Sequence, residues 1–227
     1  MRILKFFLAI LLLPVLYFAL MQTCVILFCV FSNVKAVLSF ALGGVVYAII
    51  HYKWYDFSRM YVFMHEMTHA LAALCCGSRV KGIRVGKDSG YVKMDKTNTF
   101  IVLAPYFVPG YVLLTALAYI VGSSWADLSS YRQIFLFFIG FFTSFHFIQT
   151  FKTLFEAEQP DLKLAGGKIF SVVVIILANL AVLALLLKGI FPELVSLQGA
   201  GMGVLRGILN TGRILVNYIV EYCIHAR

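Results

Sequence analysis

Acidic side chains are scarce in this chain: five aspartates and five glutamates among 227 residues, with all charged types together only 13%. Against that scarcity, 62% of the residues are hydrophobic and the mean hydropathy is +0.92. No soluble domain of this length buries so much apolar surface, so a soluble fold is excluded and an integral, multi-pass membrane protein is expected. The lack of acid leaves a formal net charge of +9. That surplus does not indicate a nucleic-acid surface, because the basic residues lie in short connections between apolar runs, as membrane topology requires. No nucleic-acid partner is expected. Cysteine is also sparse: Cys24, Cys29, Cys75, Cys76 and Cys223 show no Cys-x-x-Cys spacing and sit mostly in apolar runs. They read as small core residues, not as a disulfide framework or zinc knuckle.

Histidine and glutamate are rare enough for their positions to carry information. The chain has only His51, His65, His69, His146 and His225, and two of these fall in Tyr61 to Leu74, an apolar helical stretch reading His65-Glu66-Met67-Thr68-His69. Positions i and i+4 share a helix face, so His65 and His69 can offer imidazole nitrogens to one metal ion. Glu66 lies about 100° round the helix from His65, beside such a metal and not on it, where it can take a proton from a metal-bound water. Chance co-location in a packed core is the competing reading. It is disfavoured by the cost of burying such a trio in an apolar helix without a metal or partners.

Taken in order, the chain opens with a basic start and an apolar run from Phe6 through Phe31 without a small-x-small cleavage site, read as an uncleaved span of about 20 to 25 residues. Ala36 to Ile50 is a second apolar run whose Gly43-Gly44 would admit a closely packed helix. His51 to Arg59, with Trp54 and Tyr55, resembles an interfacial belt. The motif helix is expected to start at Ser58 as N-cap and to stop at Gly77, with Ala70, Ala72 and Ala73 packing against neighbours.

Arg79 to Phe100 is the most polar part. Alternation in Ile83-Arg84-Val85 and Tyr91-Val92-Lys93-Met94 around Gly86 to Gly90 predicts a β-hairpin, whose free edge can hold an extended peptide or simply face solvent. Ile101 to Val121 is a third long span, kinked at Pro105 and Pro109-Gly110. The fourth, from Arg132 to about Phe151, carries Thr143, His146, Gln149 and Thr150 on one face, which should turn inward. His146 is a candidate catalytic residue, as substrate-positioning or oxyanion donor or extra ligand, or else a hydrogen-bonded structural histidine.

After a polar loop from Lys152 to Gly167, the last clear span is Lys168 to Leu187. That loop leads into a helix N-terminus, which can place a carboxylate at membrane depth, and Asp161 is the candidate third metal ligand. Past Lys188 to Gly203, ending in a flexible Gly199 to Gly203 run, the C-terminal helix is amphipathic, with Arg206, Asn210, Arg213, Asn217 and Glu221 on one side. It is read as lying in the interface.

The fold class expected is an all-α polytopic membrane protein. It is a bundle of about five to six transmembrane helices with a small β-hairpin after the motif helix. Residues 1–57 form N-terminal transmembrane helices, 58–187 the metal-site core, and 188–227 a linker and amphipathic helix. Basic residues in the hairpin and in Lys152, Lys163 and Lys168 place both on the cytoplasmic side. Counting backwards then sets Arg2 and Lys5 outside, so an early segment is re-entrant or the count differs by one.

These features together resemble the site-2 protease family of intramembrane zinc metalloproteases. The resemblance rests on His65-Glu66-Met67-Thr68-His69 in a membrane helix, the basic hairpin straight after it and Gln159-Pro160-Asp161 several spans later, and covers roughly Ser58 to Leu187. It implies that His65, His69 and a distant aspartate hold Zn2+, that Glu66 is the base, and that the site opens to the cytoplasm of a bacterial-type membrane. The family's aspartate motif has a glycine directly after the aspartate, whereas Leu162 follows here and the glycines come at Gly166-Gly167. Glu156 and Glu158 therefore stay open beside Asp161 as the third ligand.

The implied activity is zinc-dependent endopeptidase cleavage in or near a transmembrane segment of a protein substrate within the lipid bilayer, by Glu-assisted attack of a zinc-bound water. Two alternatives stand. One is a non-proteolytic membrane adaptor or metal carrier that keeps the metal site. The other is a zinc protease acting on soluble peptides at the membrane surface.

Overall fold

A computed structural model describes residues 2–87, 89–156 and 159–225. It runs α1 (Arg2–Val30), α2 (Val34–Lys53), α3 (Ser58–Cys75), β1 (Val80–Val85), β2 (Gly90–Met94), α4 (Thr99–Leu103), a 3₁₀ turn (Ala104–Tyr106) and α5 (Gly110–Ser123). The chain continues through a second 3₁₀ turn (Ser129–Tyr131), α6 (Arg132–Glu156), α7 (Pro160–Ala165), α8 (Lys168–Ile190) and α9 (Leu197–His225). Among the described residues, four helical stretches are long and apolar enough to cross a membrane: α1, α2, α6 with the turn before it, and α8. A fifth is Thr99–Tyr106 with Gly110–Ser123 if that pair, bent by 76°, is one span. The protein is thus an all-α polytopic membrane protein with one two-stranded antiparallel hairpin. Helices dominate because a chain in lipid must satisfy its own backbone groups.

The chain divides into two compact units, Asn33–Ser171 and, separately, the residues up to Ser32 with those from Val172 onward. In the first, α2 lies against α6 at backbone contact distance: a Cβ on Gly43 would overlap the Phe137 carbonyl oxygen, and one on Gly140 the Phe40 carbonyl oxygen. Gly43 is the small residue expected to admit a neighbour. The polar face of α6 turns inward as expected, with Thr143, His146, Gln149 and Thr150 all buried. Tyr47, 0% exposed, packs with Tyr61 and Phe145 and tightens this core beside α3.

The motif helix starts one residue differently from expectation. Phe57 is the cap residue and makes no side-chain cap bond, while Asp56 Oδ1 accepts from both the Ser58 amide and hydroxyl. An aspartate two residues upstream satisfies the first turn better than the serine itself. The other end is as read: Gly77 has φ +72°, Ser78 N donates to Ala73 O and Gly77 N to Leu74 O, a closed Schellman turn. Ala72 and Ala73 pack on Ile101 and Ala104, which brings the α4 segment against the motif helix. The hairpin pairs Val85 with Gly90 and Ile83 with Val92, and a bulge near Lys81 leaves that lysine ion-paired with Asp95.

In the second unit, α9 begins at Leu197, so the Gly199 to Gly203 run is helical and not a flexible linker. One reason is a local cap, since Ser196 Oγ accepts from Gly199 N at 3.0 Å, and the other is tertiary, since Gly203 and Gly207 lie close against the Gln22 and Phe18 side chains of α1. The described cysteines, Cys24, Cys29, Cys75 and Cys76, are exposed instead of forming core. A cysteine side chain is small, so leaving it exposed costs little and composition alone did not force it inside.

Candidate metal centre

Helical spacing puts the His65 and His69 rings 4.8 Å apart on one face of α3. Asp161 reaches them from the first turn of α7, where Pro160 fixes the start of a six-residue helix. Its Oδ2 lies 3.5 Å from His65 Nε2 and 3.4 Å from His69 Nε2. Among the described residues these three form one group whose ligand atoms all fall within 4.8 Å of one another. Glu158 lies outside the described residues, as does the Glu156 side chain.

The donor set fits a divalent cation. His69 Nδ1 lies 2.9 Å from the Ile101 carbonyl oxygen, which can only accept, so the proton sits on Nδ1 and Nε2 presents a lone pair. That lone pair faces a carboxylate oxygen, an arrangement that is repulsive until a proton or cation lies between them. Two imidazoles and one carboxylate match the ligand types of open zinc sites. Burial alone would raise the Asp161 carboxyl, but a proton on the facing imidazole nitrogens outweighs burial and holds it well below the usual carboxylate range, and a cation in that proton's place acts in the same sense.

Glu66 is 6% exposed and stands apart from that group. Its side chain lies against the start of β2: a Cβ on Gly90 would come within 2.6 Å of Glu66 Cγ and 2.9 Å of Oε1. Only glycine lets the strand pass so close to the carboxylate. Glu66, His65, His69 and Asp161 all line one open cavity of about 770 Å³, with Ser89, Gly90, Tyr91, Val92 and Met94 along one side. Asp56 and Lys152, paired at 3.4 Å, also line it. The Ser58 hydroxyl, with Lys152 adding, holds Asp56 below the usual carboxylate range.

His146 is placed elsewhere. It is buried on α6 and lines a second, small cavity shared with Tyr61, Met64, His65 and Thr68, which Asp161 does not line. Two contributors were not read from the sequence. The Ile101 carbonyl orients His69, and the Tyr106 hydroxyl donates to Asp161 Oδ2 at 2.9 Å. A backbone carbonyl leaves no residue-type signal. For Tyr106 the only hint was its place beside Pro105, at the break of a span already expected to kink near the motif.

No curated protein and no solved structure matches this chain. A family model for Peptidase M50B-like proteins does match, over residues 37–189, which is more than half of the chain and includes α3, the hairpin and α7. The chain therefore belongs to the Peptidase M50B-like family, in keeping with the site-2 protease resemblance of its motifs.

Proposed function

We propose that this protein is a zinc-dependent intramembrane endopeptidase that cleaves a peptide bond in or next to a transmembrane segment of a protein substrate. The observation that carries the reading is the convergence of His65, His69 and Asp161 in one cavity with Glu66 beside them and outside the ligand group. Membership of a peptidase family and the apolar helices support proteolysis at a membrane.

His65, His69 and Asp161 would hold the ion. Zinc so held acidifies water and polarises a carbonyl oxygen. Glu66 accepts the proton of the attacking water, whose oxygen bonds to the scissile carbonyl carbon, and returns that proton to the amine as the C–N bond breaks. The substrate must be extended to expose that carbonyl, and β2 supplies a support. Among the described residues its one strand partner is β1, and residues on both of its faces line the cavity, so its other edge can pair with an extended peptide. Basic residues in the hairpin favour an opening to the cytoplasm.

His146 enters the reading through His65, with which it shares the second cavity. His146→Phe should lower cleavage with zinc retained, because the larger ring crowds the small cavity that His65 also lines. Wild-type cleavage by that variant would remove it from the machinery.

The reading as a whole is tested with purified protein in detergent, a single-span substrate and a soluble peptide of the same cleavage sequence. Cleavage of the single-span substrate is expected, stopped by a chelator and restored by zinc, with the soluble peptide cut far more slowly. Equal rates would favour the surface protease. Metal-dependent partner binding or flux without cleavage would favour the adaptor or carrier.

A further inference from the structure

The phenol of Tyr106 lies one layer out from the candidate centre and belongs to none of the groups assigned so far. Tyr106 is 0% exposed, so its hydroxyl needs a partner within the protein. Among the described residues its hydroxyl reaches Asp161 Oδ2 at 2.9 Å and Gln159 Oε1 at 3.5 Å. A phenol has one proton to give, and the nearer, ionised oxygen takes it.

The oxygen it reaches is the same Oδ2 that faces both imidazole Nε2 atoms. An aspartate χ2 torsion is broad and nearly two-fold, so a free carboxylate would present either oxygen. A donor fixed on Oδ2 removes that freedom. The phenol itself is held: its ring stands edge-on to His65, centroids 5.1 Å apart at 90°, and its backbone sits in the 3₁₀ turn Ala104–Tyr106 that Pro105 helps to set. The same stretch of chain supplies the Ile101 carbonyl that orients His69. One short segment thus orients two of the three candidate ligands, from two different helices.

We infer that Tyr106 is a positioning residue for metal binding, its hydroxyl holding Asp161 Oδ2 toward His65 and His69 before an ion arrives. The inference rests on the metal-centre reading above and extends it by one shell. Partners of this kind change metal affinity by roughly 10- to 100-fold when removed.

The test is zinc titration of the full-length protein in detergent against a chelating indicator, for wild type and Tyr106→Phe, with the thermal midpoint of each metal-free protein measured in parallel. Phenylalanine keeps the ring against His65 and deletes one oxygen. The expected result is one ion bound by each protein, with Kd weaker by roughly 10- to 100-fold in the variant and the metal-free midpoints close together. The cobalt-substituted forms should also differ in their visible absorption, because the carboxylate is held differently. Equal Kd values overturn the inference, and so does a variant that is merely less stable without metal while binding zinc as tightly as wild type. A wild-type protein that binds no ion, like His65→Ala as control, overturns the metal-centre reading itself and the inference with it.

Discussion

Glu66→Gln is expected to stop cleavage while leaving the metal in place. The carboxylate of Glu66 is buried, borders the cavity, and stands outside the group formed by His65, His69 and Asp161. Glutamine fills nearly the same volume beside Gly90, so the strand and helix keep their contact. Its amide accepts no proton at neutral pH, and general base catalysis of this kind contributes roughly 10²- to 10⁴-fold to the rate. Zinc content of the purified variant should match wild type within error, while turnover of a single-span substrate falls to the assay floor. A variant that loses both would make Glu66 a structural carboxylate. One that still cleaves would require another base, and unchanged metal flux or partner binding would return the carrier or adaptor to the front.

Much of the architecture was legible because membrane constraints act on local composition. Long apolar runs mark α1, α2, α6 and α8, and the prolines at 105 and 109 mark the break that appears as a 76° bend. Alternation on either side of Gly86 to Gly90 gave the hairpin, since strand side chains alternate faces whatever they pack on. The inward face of α6 followed from polar spacing. What failed depended on particular contacts, local or distant, that residue type alone does not rank. Glycines at 199 to 203 look flexible until Ser196 is seen to cap Gly199 and the Gln22 side chain to lie against Gly203. The first turn of α3 depended on which nearby oxygen, of Asp56 or Ser58, reached the amide.

The candidate site divides along the same line. His65, Glu66 and His69 are neighbours in sequence, so helical periodicity alone puts them together. Asp161 is far away in the chain, and only the combination of a polar loop, a proline and a helix start singled it out. Gly90 could be read as a turn glycine but not as the residue that makes room for Glu66, because that contact joins a strand to a helix. Tyr106 is one aromatic residue among many in an apolar chain, and its meaning arises only once α7 places Asp161 on its hydroxyl.

Asp161→Ala should then be the most damaging change to metal affinity outside the two histidines. The carboxylate supplies the single anionic donor of the group, and its Oδ2 is the atom on which both imidazoles and the Tyr106 hydroxyl converge. Zinc sites with four protein donors bind with about 10–16 kcal/mol, so one donor's share is about 3 kcal/mol and its loss weakens Kd by at least ~10²-fold. Dialysis against a chelator of intermediate strength should leave wild type loaded and strip the variant. Asp161→Asn separates two contributions: it keeps an oxygen for Tyr106 to bond but removes the charge. Both variants should therefore lose zinc, with asparagine retaining the ordered environment of Tyr106, readable in its near-ultraviolet signal, and alanine losing it. Full zinc occupancy in Asp161→Ala would take this residue out of the centre and turn attention to Glu156 and Glu158, upstream on the same connection, as the carboxylates that complete it.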